Sequence, residues 1–166
     1  MSAAKRAVLI LAVLLCCVGC DQATKSVAQS LLPAGSAWSF AGDSVRLQLA
    51  HNSGAFLSLG AALPEPWRSG LFSLGVGCVL LCLLGYSLFG RGHDLPGTIG
   101  MALIVGGGFS NLADRLLYGG YVVDFLNLGV GGLRTGIFNL ADVAITVGAV
   151  LLLCGSFAGT KSAEAT

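Results

Sequence analysis

The chain has 166 residues, of which 55% are hydrophobic and only 10% are charged. A soluble domain carries about 25% charged residues, so nine Lys/Arg and eight Asp/Glu residues cannot cover the water-facing surface of a protein of this size. The mean hydropathy of +0.84 therefore indicates a membrane protein. The net charge of +1 argues against a nucleic-acid-binding protein, which would carry a basic patch. The length fits one domain.

Four apolar stretches are candidates for transmembrane helices, each of which needs about 20 mostly apolar residues. They cover approximately residues 7–28, 67–89, 97–117 and 140–157. Pro96 suits the first turn of the third helix, and Asn139 suits the N-cap of the fourth. We therefore predict an all-α membrane protein, a single integral membrane domain whose four transmembrane helices form an up-down bundle.

The polar residues of these stretches fall in one layer of the predicted bundle. Neighbouring helices run in opposite directions, so the ends of helices one and three and the starts of helices two and four share one side. The polar residues on that side are Asp21, Lys25, Asn111, Asp114, Arg115, Asn139 and Asp142. The long connections 29–66 and 118–137 also lie there, and their segments 45–49 and 121–123 predict a small β-sheet. Counted near the ends of the stretches, Lys and Arg favour a cytoplasmic N-terminus by a small margin, which places this side outside the cell.

Carboxylates at this depth require a reason, because an ionisable side chain within the membrane costs about 2.5–3.5 kcal/mol and marks function by default. Asp21 and Lys25 are four residues apart and can neutralise each other, and we predict that Asp114 is a buried structural partner. Asp124 has no basic neighbour in its apolar stretch, whereas Asp142 begins a helix, where the dipole favours its anion. Two carboxylates in such different surroundings suit an acid/base pair, although spacing alone leaves an ion pathway or a packing role open.

The cysteines and the N-terminus support alternative interpretations. Lys5-Arg6 before Cys17-Val18-Gly19-Cys20 resembles a lipoprotein signal peptide, but three further apolar stretches follow. A four-helix thiol oxidoreductase needs exchangeable cysteines in an outer loop, and neither long connection contains one. His51 and His93 fall on opposite sides, so no metal site is predicted. A thiol oxidoreductase and a non-enzymatic ion or proton carrier remain the two alternatives to a hydrolytic enzyme.

Five motifs occur in an order that resembles the lipoprotein signal peptidases (signal peptidase II), over roughly residues 7–157. They are Asp21-Gln22-Ala23-Thr24-Lys25, Asn52-Ser53-Gly54-Ala55-Phe56, Gly106-Gly107 through Asn111-Leu112-Ala113-Asp114-Arg115, Val122-Val123-Asp124-Phe125, and Phe138-Asn139-Leu140-Ala141-Asp142. Each motif alone is weak, but all five in this order on four apolar stretches are specific.

The resemblance implies an aspartic endopeptidase of the bacterial cytoplasmic (inner) membrane, with cytoplasmic termini and an active site near the extracytoplasmic face. Such an enzyme removes signal peptides from diacylglyceryl-modified prolipoproteins by cutting just before the lipid-modified cysteine. The resemblance implies that the enzyme has no cofactor and that its partners are these prolipoproteins and membrane lipids. Asp124 and Asp142 match the family's catalytic aspartates. The positions that match supporting residues are Asp21, Lys25, Asn52, Gly54, Asn111, Asp114, Arg115 and Asn139.

Three departures from the family pattern raise questions for the structure. Ser110 stands where glycine is common, and a single alanine, Ala55, precedes Phe56. Gly119-Gly120 lengthens the connection to the Val-Val-Asp motif by one residue. The first two affect local packing, and the third leaves open how Asp124 is presented to Asp142.

Overall fold

A computed structural model describes residues 1–53, 64, 67, 70–90 and 94–163, and the side chains of these residues except 70–72 and 156–163. The predicted site residue Gly54 lies outside the described residues, as does the Ala55-Phe56 departure. Within these residues the helices are α1 (Ala3–Leu31), α2 (Val76–Phe89), α3 (Leu95–Leu117) and α4 (Leu140–Ala163), and a π-helical segment, Gly70–Gly75, leads into α2. The strands are β1 (Ala37–Phe40), β2 (Val45–Asn52), β3 (Val122–Val130) and β4 (Leu133–Arg134).

The molecule is mostly helical with a small antiparallel sheet, as predicted. Among the described residues, α1 and α3 are long and apolar enough to cross a membrane. The described apolar parts of the other two candidates, Ser73–Phe89 and Leu140–Gly155, are shorter. The full set of four transmembrane helices therefore stays a prediction.

Polar caps fix where the helices begin. The side chain of Asp94 accepts a hydrogen bond from the Gly97 amide at 2.8 Å, and Pro96 occupies the first turn of α3 as predicted. At the start of α4, Asn139 Oδ1 accepts from the Asp142 amide at 2.9 Å, while Asp142 Oδ2 accepts from the Asn139 amide at 3.2 Å. This reciprocal cap satisfies backbone donors that a helix start leaves free, and it confirms Asn139 as the N-cap.

Helix α3 is the centre of the bundle and packs against α1, α2 and α4. Three consecutive glycines on α3 each face a different neighbour. A Cβ atom would lie 2.9 Å from Cys17 of α1 at Gly106, and it would clash with a backbone oxygen of α4 at Gly107 and with Leu80 of α2 at Gly108. The small residues therefore permit close helix approach.

The sheet is antiparallel throughout, in the order β1-β2-β3-β4. Strand β2 pairs with β3 from Val45 opposite Leu128 to Asn52 opposite Val122, with an irregularity between Leu47 and Ala50. The predicted segment 45–49 thus lies within β2, and the predicted segment 121–123 reaches β3 with Val122 and Val123, whereas Tyr121 precedes the strand. A small apolar core of Ala28, Leu32 and Phe125 joins the sheet to the end of α1.

The connection from α3 to β3 contains Gly119-Gly120, the pair that lengthens this connection by one residue relative to the family pattern. Gly119 and Gly120 have φ values of +65° and +97°, which place both in the left-handed region that glycine adopts without steric cost. The Gly120 amide donates to the Arg115 carbonyl at 2.7 Å and so closes the end of the helix. The chain turns directly into β3, which carries Asp124.

Candidate active site

Asp124 and Asp142 come from different elements and line the same cavity of about 510 Å³. Asp124 lies on β3 and is 2% exposed. Its Oδ1 accepts from Asn139 Nδ2 at 2.7 Å, and its Oδ2 accepts from Asn52 Nδ2 at 3.1 Å. Asp142 lies in the first turn of α4, and its Oδ1 accepts from Asn111 Nδ2 at 2.9 Å. The two carboxylates are thus both oriented by neutral amide donors.

Two asparagine side chains connect the carboxylates to each other. Asn139 Nδ2 donates to Asn111 Oδ1 at 3.0 Å and to the Val123 carbonyl at 3.3 Å, in addition to its bond to Asp124. Asn111 in turn donates to Asp142. Residues from α3, β3 and α4 therefore form one hydrogen-bonded network around the cavity.

A buried charge cluster lies behind this network and consists of Asp21, Lys25 and Asp114. Lys25 Nζ is 2.6 Å from Asp21 Oδ2 and 2.8 Å from Asp114 Oδ2. It also donates to Asn111 Oδ1 at 3.0 Å. The ion pair predicted between Asp21 and Lys25 and the buried role predicted for Asp114 are both confirmed, and the cation that meets Asp114 is Lys25. Because the Ala141 amide donates to Asp21 Oδ1 at 2.9 Å, the cluster joins α1, α3 and α4.

Gln22 and Ser110 also contact the charge cluster, and sequence reasoning did not assign them a role. Ser110 Oγ donates to Asp21 Oδ2 at 2.7 Å. Gln22 Nε2 donates to Asp114 Oδ1 at 2.6 Å and to Ser110 Oγ at 3.1 Å. The serine that departs from the family pattern therefore binds a buried carboxylate. Its position immediately before Asn111 in an apolar helix was the available signal.

The surroundings of Asp124 favour its protonated form. Burial, followed by the negative charge of Asp142, raises the pKa of Asp124 to about 6. Hydrogen bonds from Asn52 and Asn139 act in the opposite direction because they stabilise the anion. A carboxyl group with a pKa near 6 can hold or release a proton close to neutral pH.

The remaining cavity wall is mainly apolar, with Arg115 and Asn52 among its polar members. Arg115 Nη1 donates to the Asn111 carbonyl at 3.3 Å. None of the six cysteines, all of them free, lines this cavity. In the part of the chain that the structure describes, no group of three or more His, Cys, Asp or Glu side chains is arranged to hold a metal ion.

The fold, a set of apolar helices with a small antiparallel sheet, is shared with solved structures of other proteins. Two solved structures, each described as a bacterial membrane enzyme, superpose on the chain with TM-scores of 0.81 and 0.77. They cover 92% and 88% of this chain and 90% of their own length, at 23% sequence identity.

The family profile described as signal peptidase (SPase) II matches residues 13–158, and the chain belongs to this family. Proteins named lipoprotein signal peptidase from Burkholderia mallei and Burkholderia pseudomallei are 43% identical to it over 107 residues. One from Burkholderia multivorans is 45% identical over 112 residues. Each alignment covers 64% of this chain and 63% of the relative, so the chain spans less than two thirds of these relatives' length. The resemblance seen in the motifs is confirmed, and the family indicates a protein of the bacterial inner membrane.

Proposed function

We propose that this protein is an aspartic endopeptidase that removes signal peptides from diacylglyceryl-modified prolipoproteins. It cleaves just before the lipid-modified cysteine, and its catalytic residues are Asp124 and Asp142. The observation that carries the proposal is that these two carboxylates, from a strand and a helix, face one cavity and are connected through Asn111 and Asn139. Membership of the signal peptidase II family supports the substrate class.

In the proposed mechanism the two aspartates share one proton. The ionised carboxylate takes a proton from a water molecule, and the water oxygen bonds to the scissile carbonyl carbon. The protonated partner gives its proton to the carbonyl oxygen, which produces a gem-diol. The first carboxyl group then gives its proton to the amide nitrogen, the ionised partner takes a proton from one hydroxyl of the gem-diol, and the C–N bond breaks. The products are a signal peptide with a new carboxyl end and a lipoprotein with a free amine, and the pair again holds one proton. The titration belongs to the pair, so neither role is assigned to one named residue.

The supporting residues hold this pair in position. Asn139 and Asn111 fix the carboxylate orientations, and Asn52 binds the second oxygen of Asp124. Asp21, Lys25 and Asp114 hold the helices that carry these amides. Arg115, on the cavity wall, and Gly54, matched by motif, complete the proposed support. Preorganised polar groups of this kind act without reorganisation during the reaction.

We further propose that both termini are cytoplasmic and that the site lies near the extracytoplasmic face. Asp21 is about 27 Å along α1 from Ala3, just inside a hydrocarbon layer about 30 Å thick. A site at this depth suits a substrate whose signal helix spans the bilayer and whose lipid chains lie in the outer leaflet. Reporter fusions test the topology: a phosphatase fused after residue 166 is expected to be inactive in cells, and an active one contradicts it.

The function is tested with purified protein in micelles, using a prolipoprotein with and without its diacylglyceryl group. Asp124→Asn and Asp142→Asn are each expected to lower kcat by about 10⁴-fold or more, the scale seen when a catalytic group is removed. Asp94→Asn is the matched control, because asparagine also caps a helix, and it is expected to retain full activity.

Either site variant that remains folded and keeps more than a tenth of the activity contradicts the catalytic pair. Equal cleavage of the unmodified substrate contradicts the substrate class. Changing Cys17 and Cys20 to serine is expected to leave cleavage unchanged, whereas a thiol oxidoreductase would lose its activity.

A further inference from the structure

One wall of the cavity is an irregular segment, residues 135–138, that connects β4 to the N-cap of α4. Thr135, Gly136, Ile137 and Phe138 all line the cavity. Except for one isolated bridge between Leu126 and Phe138, the segment lies outside the named strands and helices. Its position must therefore be fixed by individual hydrogen bonds.

Asn127 supplies the bonds at the start of this wall. It lies on β3 and is 7% exposed. Its Nδ2 donates to the Thr135 carbonyl at 2.7 Å and more weakly to the Gly136 carbonyl at 3.5 Å. Arg134 Nε donates to Asn127 Oδ1 at 2.6 Å, so the amide group is oriented with its NH₂ toward the wall. A second pair of bonds, between Thr135 and Leu128, keeps the strand and the wall in register.

The other end of the wall is attached to the same strand, beside Asp124. The Phe138 carbonyl accepts from the amides of Phe125 and Leu126 at 3.0 and 2.8 Å, and the Phe138 amide donates back to Leu126. The next residue is Asn139, which binds Asp124 and caps the helix that carries Asp142. A shift of the wall is therefore transmitted to Asn139 and through it to both carboxylates.

Arg134 anchors this arrangement to the far end of the sheet. Its Nη1 donates to the Asp43 carbonyl at 2.7 Å and lies 3.3 Å from Asp43 Oδ2. Asp43 is in the turn between β1 and β2 and also pairs with Arg46. The guanidinium thus fixes the Asn127 amide, and the Asn127 amide donates to the Thr135 and Gly136 carbonyls.

We propose that Asn127 is a positioning residue for the Asp124–Asp142 pair, acting through residues 135–138 and Asn139. The inference rests on the proposed function. Asn127 does not contact either aspartate, so its effect on catalysis is indirect. Its substitution loosens the wall and weakens the hydrogen bond from Asn139 that stabilises ionised Asp124.

Asn127→Ala is expected to lower kcat about 5- to 30-fold, the factor that 1–2 kcal/mol produces. It is also expected to move the pH–activity profile to higher pH, because losing a donor to one carboxylate raises the apparent pKa values of the pair. The other charged groups that act on the pair, Lys25, Arg115 and Asp21, lie on α1 and α3, so the substitution leaves them unchanged.

The same assay includes Asn127→Leu, which preserves side-chain volume and supplies the result if the alanine variant fails to fold. Arg134→Met removes the anchor but leaves the amide donors, so a smaller loss is expected. The double variant with Asn127→Ala and Arg134→Met is expected to lose little more kcat than Asn127→Ala alone, because both substitutions act through one contact.

Wild-type kcat and an unmoved profile in the Asn127 variants overturn the inference. Lower activity with the profile unmoved also overturns it, since that result indicates general destabilisation. Asp124→Asn and Asp142→Asn run in parallel separate the two proposals. If they retain activity, the proposed function fails. If they are inactive while Asn127→Ala behaves as wild type, only the positioning role fails.

Discussion

Replacing Lys25 with methionine isolates the energetic role of the buried charge cluster. The Lys25 side chain is 3% exposed, and its ammonium group lies within 2.8 Å of a carboxylate oxygen from both Asp21 and Asp114, whose side chains are fully buried. Methionine has similar length but carries no charge. The substitution therefore leaves two buried carboxylates without a cation, each still bound by two neutral donors.

The expected cost is about 3–5 kcal/mol of unfolding free energy, the range for removing one partner of a buried ion pair. Asp114→Asn is the matched comparison, because it leaves Lys25 paired with Asp21 and removes one charge from a cluster that has one excess anion. Its expected cost is about 1–3 kcal/mol, typical of a disrupted buried hydrogen bond. The double variant leaves one carboxylate unpaired instead of two, so it is expected to be more stable than Lys25→Met alone.

Equilibrium unfolding in mixed micelles, followed by tryptophan fluorescence and circular dichroism, measures these differences if the slope of the transition is the same for all variants. Two results would refute the reasoning. One is a Lys25→Met variant within about 1 kcal/mol of wild type, far below the range for a broken buried pair. The other is a double variant whose cost equals the sum of the single costs, since charges in contact should not behave additively.

Three further comparisons use thermal unfolding, and two of them include a control variant. The pKa of Asp124 is raised from 3.8 to about 6, so the contribution of this carboxyl group to stability is present below pH 4 and is lost as pH rises through 6. The unfolding free energy of Asp124→Asn should therefore rise relative to that of wild type between pH 4 and pH 8, by up to about 3 kcal/mol. A difference in unfolding free energy that does not change with pH contradicts this prediction. Gly107→Ala should lower the unfolding free energy by about 1–3 kcal/mol through overpacking. Gly85→Ala is the control, because a Cβ there meets nothing within 4 Å, and it should raise the unfolding free energy by up to about 1 kcal/mol. Equal effects of the two substitutions would be contrary evidence. Ser110→Ala removes a hydroxyl donor from the buried charge cluster and should lower the unfolding free energy by about 1–3 kcal/mol. The control, Ser30→Ala at an exposed position, should change it very little. A larger loss for Ser30→Ala than for Ser110→Ala would exclude the role given to the Ser110 hydroxyl.

The helices could be predicted from sequence because each requires only a long apolar run and local capping residues. The first was predicted over residues 7–28 and spans Ala3–Leu31, since the helix continues through its polar turns once their side chains are paired. Strands β1 and β4 were not predicted. β1 is a short, exposed segment, Ala37–Phe40, whose pairing depends on a turn with left-handed residues at Ala41 and Asp43. Hydrophobic alternation carries no signal for such a turn.

For the candidate site, the sequence predicted the layer and the pair of Asp21 and Lys25, but not the contacts between helices. Opposite helix directions place Asp21 and Asp114 on one side of the bundle, and that holds. The rotation and register of the helices decide that Lys25 lies between them and that Ser110 reaches Asp21. The contacts of Lys25 with Asp114 and of Ser110 with Asp21 each join residues 89 positions apart. They depend on the glycine contacts of α3, which local patterns do not specify.

The position of Lys25 relative to the proposed catalytic pair, Asp124 and Asp142, has a chemical consequence. The Lys25 ammonium group donates a hydrogen bond to Asn111 Oδ1, and the NH₂ group of Asn111 donates a hydrogen bond to Asp142. A direct ion pair would favour a fully ionised carboxylate, because an adjacent opposite charge stabilises the charged form. An intervening amide orients the carboxylate and carries only part of that effect. The proposed mechanism requires one proton to be shared between two aspartates, so a cation held one amide away allows a rigid site in which that proton is retained.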